Sequence, residues 1–440
     1  MATFHDLFHS GHHNVFTQAT QYVKGLFQAD KRNMERMAEV IPEADDQALQ
    51  NFLTQSSWEA SPVMDRVALQ ADQCFGGSAG TSLYIDESGF KKSGQHSVGV
   101  ARQWNGRLGK VENSQVGVFG ALGKGDRVAL IDARLYLPQS WTEDAKRCAQ
   151  ADVPSACRRY RSKIDIALDI VRRARTLGIR FEWVGVDGLY GNATHLLRTL
   201  DAEGEQFMAD VHKDQSIYLD DPHPFLPERK GAKGRKTTRY QSHAQAIQVS
   251  QWSAQQPASA WQKLTLRETC QGPLIIEVLH RRVWIWEAGS EKAYLWHLIV
   301  RREIQSPNEI KYSLSNAPTN TSPLKLAQMQ AQRYWIERAF QDGKSHVGMA
   351  DYQVRKWQSW HRHMALVMMA GLFMLQQRIA QAESYPLLSC YDLQVLLAKT
   401  LPSKQTDFGV LLAQMKERHR RRLSAIESAT RKKKKMIQHE

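Results

Sequence analysis

A chain of 440 residues is too long for one compact core and divides into two to four domains, or into one domain carrying a large insertion. Its 42% hydrophobic and 24% charged residues are ordinary for a globular protein and exclude a fibre or a wholly disordered chain. The net charge of +14, from 59 Lys and Arg against 45 Asp and Glu, predicts attraction to a polyanion, nucleic acid first, with a basic soluble enzyme or ribosome-associated protein as the alternative.

Residues 1–78 read as helical, because QYVKGLFQADKRNMERMAEVI and QALQNFLTQSSWEASPVMDRVALQ repeat apolar residues at intervals of three and four. The opening MATFHDLFHSGHHN lacks a basic segment followed by an apolar run, so it is not read as a secretory signal. His5, His9, His12 and His13 have no matching cysteine set and read as surface or capping residues. FGGSAGTS ends the helical period, and LYIDES, SVGVARQW, QVGVFGALG and RVALIDARLYLP follow at hairpin spacing, which predicts an antiparallel meander. A helix over about Tyr160 to Leu177 carries Ile164, Leu168, Val171 and Ala174 on one face. The strand RFEWVGVDGLYG, a helix near THLLRTLDAEG and the strand QFMADV then complete an α/β order with a mixed sheet over residues 79–213.

Residues 214–305 change to short aromatic and β-branched strands, ASAWQKLTL, GPLIIEVL, VWIWEA and AYLWHLIV, and read as an all-β insertion domain. Within it, Arg229, Lys230, Lys233, Arg235, Lys236 and Arg239 crowd one stretch beside turn-favouring residues and predict an exposed basic loop. The strand KYSLSN and the turn APTNTSPL lead into a long helix, about Lys325 to Lys344, and residues 306–382 return to the α/β core. Residues 383–440 form a helical C-terminal region. Its stretch from Lys416 to Lys435 reads as a solvated or disordered tail, with phosphate contact as the alternative. The apolar run Met364 to Leu375 is shorter than the roughly 20 residues that span a bilayer, so no membrane partner is expected. Cys74, Cys148, Cys157, Cys270 and Cys390 are odd in number, scattered and without a CxxC pair, which fits a reducing cytoplasm.

Three carboxylates stand out. Asp86 lies within the first core strand, where a buried carboxylate needs a partner, although it also reads as a cap for the turn that follows. Asp187 ends a strand of the same sheet, where ligands gather in open α/β sheets, although Asp also initiates turns. Glu337 lies on the helix after the insertion. At about 100° per residue, Arg333 and Lys344 share its face, while Trp335, Ile336, Ala339 and Phe340 make the remainder apolar. A packed helix with one polar stripe turns that stripe to a wet cleft or to buried charges; the alternative is a solvated (i, i+4) pair. Three such carboxylates suit hard divalent cations with open positions for water and phosphate oxygens. Two ions about 4 Å apart activate the attacking oxygen and stabilise the leaving one. Arg333 and Lys344 would then steer the phosphate backbone.

The stretches IDESGFKKSGQHSVGVARQWNGRLGKVENSQVGV around Asp86, WVGVDGLYGN around Asp187 and RYWIERAFQDGKSHVGMADYQVRKWQSWHRH around Glu337 carry a resemblance over most of residues 50–375. Together and in this order they resemble the DDE transposases of bacterial insertion sequences, in the branch with a β-rich insertion before the glutamate. That branch has a tyrosine, arginine, glutamate, lysine signature. Arg333, Glu337 and Lys344 fit its gaps, but Gln330 occupies the tyrosine slot and Tyr334 lies one turn on.

The resemblance implies a ribonuclease-H-like mixed-sheet core with a β-rich insertion and helical N- and C-terminal regions. It also implies Asp86, Asp187 and Glu337 as catalytic ligands of two Mg2+ ions, with Mn2+ able to substitute. The implied partners are double-stranded DNA, as terminal inverted repeats and as target, and a second copy of the chain in the complex that pairs two ends. The place of work would be the bacterial cytoplasm and its nucleoid. Cleavage at the element's ends exposes a 3′-hydroxyl that attacks target DNA; residues 1–78 would read the inverted repeat. Trp284, Trp286 and Trp296 are candidates to stack a displaced base, with core packing as their alternative. Two other readings remain: a ribonuclease-H-like nuclease without strand transfer, and a domesticated DNA-binding protein without catalysis.

Overall fold

The computed structural model describes residues 1–10, 13–228, 237–269, 272–304 and 306–437. The N-terminal region forms helices α1 (Phe16–Gln28), α2 (Met34–Val40), α3 (Asp46–Thr54) and α4 (Ala60–Phe75). Each of the two long amphipathic stretches is therefore a pair of helices. The starts of α2 and α3 are set by side-chain caps: Asn33 accepts from the Arg36 amide at 3.0 Å and Asp45 from the Ala48 amide at 2.8 Å. This region packs on the core. Arg362 donates to the carbonyls of Trp58 and Leu53, both at 3.0 Å, and to that of Ser56, while Tyr22 meets His363 at 2.8 Å.

The core strands are β1 (Ser82–Lys91), β2 (Ala101–Asn105), β3 (Lys110–Lys124), β4 (Arg127–Leu135), β5 (Trp183–Val186) and β6 (Phe207–Val211). β1 is antiparallel to β3 and parallel to β5, and β5 is parallel to β6, which is the mixed sheet expected. The far edge of β3 is shared, with β2 along Lys110–Ser114 and β4 along Gly117–Lys124. The expected strand SVGVARQW begins only at Ala101. Ahead of it Gly99, at φ +73°, makes a turn so close to the Tyr136 carbonyl that a Cβ would sit 2.9 Å from it. Helix α5 (Lys163–Thr176), opened by a Ser162–Asp165 capping box, precedes β5 in the chain; α6 (Gly188–Gly191) and α7 (Thr194–Ala202) connect β5 to β6.

Residues 262–315 form β7 (Gln262–Thr269), β8 (Gly272–Ile285) and β9 (Tyr294–Glu303), within the stretch expected as an insertion, and β10 (Ser306–Ser315), just beyond it, an antiparallel meander. β10 then pairs with β6 from Tyr312 against Val211 to Ser315 against Met208, so this meander extends the core sheet to ten strands. The boundary expected between residues 305 and 306 falls between two strands that pair with each other.

The long helix expected over 325–344 is two helices, α8 (Pro323–Gln332) and α9 (Tyr334–His346), which meet at Arg333. There the Ile336 amide turns back three residues to the Arg333 carbonyl at 3.2 Å, so the polar stripe starts at the joint. Helix α10 (Trp357–Ala380) is buried along most of its length, and among the described residues no helix is long and apolar enough to cross a membrane. After α11 (Cys390–Thr400), the basic stretch read as a solvated or disordered tail is part of a 30-residue helix, α12 (Phe408–Ile437). It lies over the N-terminal helices through Arg421–Asp46 at 2.6 Å and Arg418–Glu39 at 3.5 Å.

Candidate active site

Pairing of Ile85 with Val186, and of Val186 with Ala209, fixes the register of three adjacent parallel strands. The next residue on each is an aspartate, so Asp86, Asp187 and Asp210 stand abreast where the parallel ladder ends. Neighbouring strands are about 4.8 Å apart, which crowds three carboxylates into one row. Asp86 is 8% exposed and accepts the Glu87 amide at 2.7 Å. It does not cap a turn, because β1 runs on as strand to Lys91. Asp187 does both things considered for it: it ends the strand segment and caps α6, accepting the amides of Leu189 at 3.0 Å and Tyr190 at 3.4 Å.

Glu337 reaches the same place from α9. The expected (i, i+4) pair is present, with Arg333 Nη2 at 2.9 Å from Glu337 Oε1. Only its Glu337 end is solvated, at 52% exposed; the Arg333 side chain is 15% exposed and also meets Asp210 through Nε at 3.0 Å and Asp86 through Nη1 at 3.5 Å. All four acids and Arg333 line one cleft of ≈ 1150 Å³, together with Lys163, Lys213, Lys311 and Lys344. Lys344 Nζ lies 5.5 Å from the Phe90 ring, and Lys163 pairs with Glu87 at 2.7 Å.

The electrostatics follow from this crowding. Burial, then the charge of Asp187, pushes Asp86 well above the usual carboxylate range, and Arg333 opposes the shift. Burial raises Asp187 as well, against Arg333 and the two amides it caps. Burial alone would depress Arg333, but Asp210, Asp86, Glu337 and Asp187 together hold it firmly protonated. Four acids around one guanidinium leave an excess of negative charge and oxygen-only donors, a set that fits a hard divalent cation. Among the described residues no three His, Cys, Asp or Glu side chains are gathered as a ready ligand set. Glu337 is instead drawn to Arg333.

Asp210 was not singled out by sequence reasoning, although its signal was there: FMAD, like WVGVD, is an apolar strand that stops on an aspartate. Gln330, in the signature's tyrosine slot, is buried and donates to Ser313 Oγ at 2.7 Å, whereas Tyr334 is exposed. Trp296 is 3% exposed and packed on Phe207 and Tyr294, so no face of its ring is open to a base. Trp286 donates to the Ser290 carbonyl at 2.8 Å, and neither it nor Trp284 lines the cleft. Trp104, 56% exposed on edge strand β2, does line it. Lys230, Lys233, Arg235 and Lys236 lie outside the described residues.

The family model described as "DDE superfamily endonuclease" matches residues 4–273, which includes Asp86, Asp187 and Asp210 and ends before Glu337. A relative from Microchaete diplosiphon, described as "Probable transposase for insertion sequence element IS701", is 22% identical over 327 residues, covering 74% of this chain and 73% of the relative. With well over half its length matched by the model, and with two aspartates of the row on adjoining strands of a mixed sheet, the chain belongs to the DDE superfamily endonuclease family.

Proposed function

We propose that this chain is a DNA transposase that cleaves DNA at the ends of its element and joins the exposed 3′-hydroxyl to target DNA. The observation that carries the reading is the juxtaposition of Asp86 and Asp187 on adjoining strands with Glu337 across the same cleft, Asp86 and Glu337 both paired with Arg333. The similarity to an insertion-sequence transposase supports the choice of DNA as substrate.

Asp86, Asp187 and Glu337 are the residues that would hold two Mg2+, or Mn2+ in its place. When bound, such a pair supplies Lewis-acid activation of the attacking oxygen and stabilisation of the leaving one. The chain's own cations do the remaining work. Arg333, at the joint before α9, and Lys344, on α9, would face the scissile phosphate, and Lys163, Lys213 and Lys311 at the cleft walls would hold the flanking backbone. Two copies of the chain pairing two ends, and recognition of the inverted repeat by residues 1–78, complete the proposal.

The test is a cleavage and strand-transfer assay on the element's own end sequence, supplied both intact and pre-cleaved to a 3′-hydroxyl. The wild-type chain with Mg2+ should yield joined product, and Asp187→Asn or Glu337→Gln should lower it by at least about a thousandfold. Cleavage with no joined product would favour a nuclease. DNA binding with neither activity would favour a binding protein.

A further inference from the structure

Arg333 shares its guanidinium unevenly. Its two close contacts go to Asp210, at 3.0 Å, and to Glu337, at 2.9 Å, while Asp86 is met only at 3.5 Å. Asp210 is itself held in place. Ser313 Oγ, opposite it on β10, donates to Asp210 Oδ1 at 2.6 Å, and Gln330 Nε2 donates to Ser313 Oγ at 2.7 Å. Gln330 comes three residues before Arg333, at the end of the helix that breaks there. The chain of contacts therefore leaves the helix at Gln330, crosses the sheet through Ser313 and Asp210, and returns to the helix at Arg333.

A mostly desolvated guanidinium must keep a counter-charge. If Asp210 were neutral, the nearest buried anion left to Arg333 would be Asp86. A full ion pair there would occupy the carboxylate that a divalent cation needs.

We propose that Asp210 is a positioning residue: it parks the Arg333 guanidinium beside the metal-binding row, leaving Asp86 open to a divalent cation while one fixed positive charge stays at the cleft. This rests on the metal-site reading above and extends it to a residue outside the three carboxylates. Asp210 does not touch the reacting atoms in this scheme, and its influence on the cation passes through Arg333.

The test is a double-mutant cycle on Mn2+ binding to the full chain, read from the free-Mn2+ electron paramagnetic resonance signal, with thermal unfolding recorded for each variant. Asp210→Asn should raise the Mn2+ dissociation constant about tenfold, the scale typical of residues that orient a metal site from outside it. Arg333→Met should lower it, and Asp210→Asn in the Arg333→Met background should then change nothing. Ser313→Ala, a gentler variant that keeps both charges, should give a smaller rise of the same sign and carries the test if Asp210→Asn does not fold. Equal weakening in both backgrounds would mean that Asp210 acts on the cation directly, and no weakening in the wild-type background would mean that Arg333 does not compete. Either result overturns the proposal while leaving the metal site standing. A wild-type chain that binds no Mn2+ would instead defeat the metal-site reading, and this inference with it.

Discussion

Gly191 closes α6 directly against β6, and a Cβ built there would lie 1.9 Å from the Asp210 carbonyl oxygen and 2.9 Å from its carbon. The obstacle is backbone in a paired strand, so Gly191→Ala cannot be absorbed by a rotamer change. The α6 turn, which Asp187 caps, must lift away from β6 and carry Asp187 with it. Overpacking of this kind costs about 1–3 kcal/mol in stability. A shift of roughly 1 Å in a reacting group costs on the order of a hundredfold in rate. Gly188→Ala is the matched control, because its Cβ would meet side chains alone, the edge of the His212 ring at 2.9 and 3.1 Å, which can swing aside, and Asn192 Nδ2 at an ordinary 3.9 Å. Chemical denaturation and strand transfer measured on both variants should show a stability loss and about a hundredfold activity loss for Gly191→Ala, and a much smaller effect for Gly188→Ala. Equal effects, or a Gly191→Ala chain with wild-type stability and activity, would refute the claim that this contact sets the spacing of the aspartate row.

Arg362→Met should destabilise the chain by about 3 kcal/mol or more, since it strands the carbonyls of Leu53, Ser56 and Trp58; the check is a denaturation curve, with separate loss of the N-terminal helices as the visible event. His363 is fully buried, and burial, then Lys92, lowers its pKa to about 3. Its stabilising contribution is complete above the unfolded value near 6.5 and is lost as pH falls from there towards 3, by about 1.4 kcal/mol per pH unit. The slope of unfolding free energy between pH 6 and 5 should accordingly flatten in His363→Gln. Replacing both Lys213 and Lys311 by Ala should reduce the slope of log binding constant against log salt by about 2 for duplex DNA if both contact phosphate, measured by fluorescence anisotropy.

Much of the fold follows from local pattern. The meander, α5 and the strands ending at Asp187 and Asp210 each carry their own periodicity, and the mixed sheet follows from their order. What the pattern could not supply is register across distant strands. The pairing of Ser313 with Asp210 joins residues 103 apart, and it makes the insertion continuous with the core sheet. The same limit hid Asp210, whose place in the row depends on Val186 lying beside Ala209. Periodicity also passed over the joint at Arg333, because the apolar face continues through it while the side chain there is held by three carboxylates. The tryptophans of the insertion show why residue type alone decides little: Trp296 serves the core, whereas Trp104, on an ordinary-looking strand, is at the cleft.

The most direct test of two-metal catalysis by Asp86, Asp187 and Glu337 is a metal switch at Glu337, whose half-exposed side chain can be exchanged without opening the buried row. A thiolate is a poor ligand for Mg2+ and a better one for Mn2+. Glu337→Cys should therefore lose DNA cleavage and joining in Mg2+ and regain a measurable part of both in Mn2+, while Glu337→Ala stays inactive in either ion. Equal activity of Glu337→Cys and Glu337→Ala in both ions would contradict a role for Glu337 as a metal ligand.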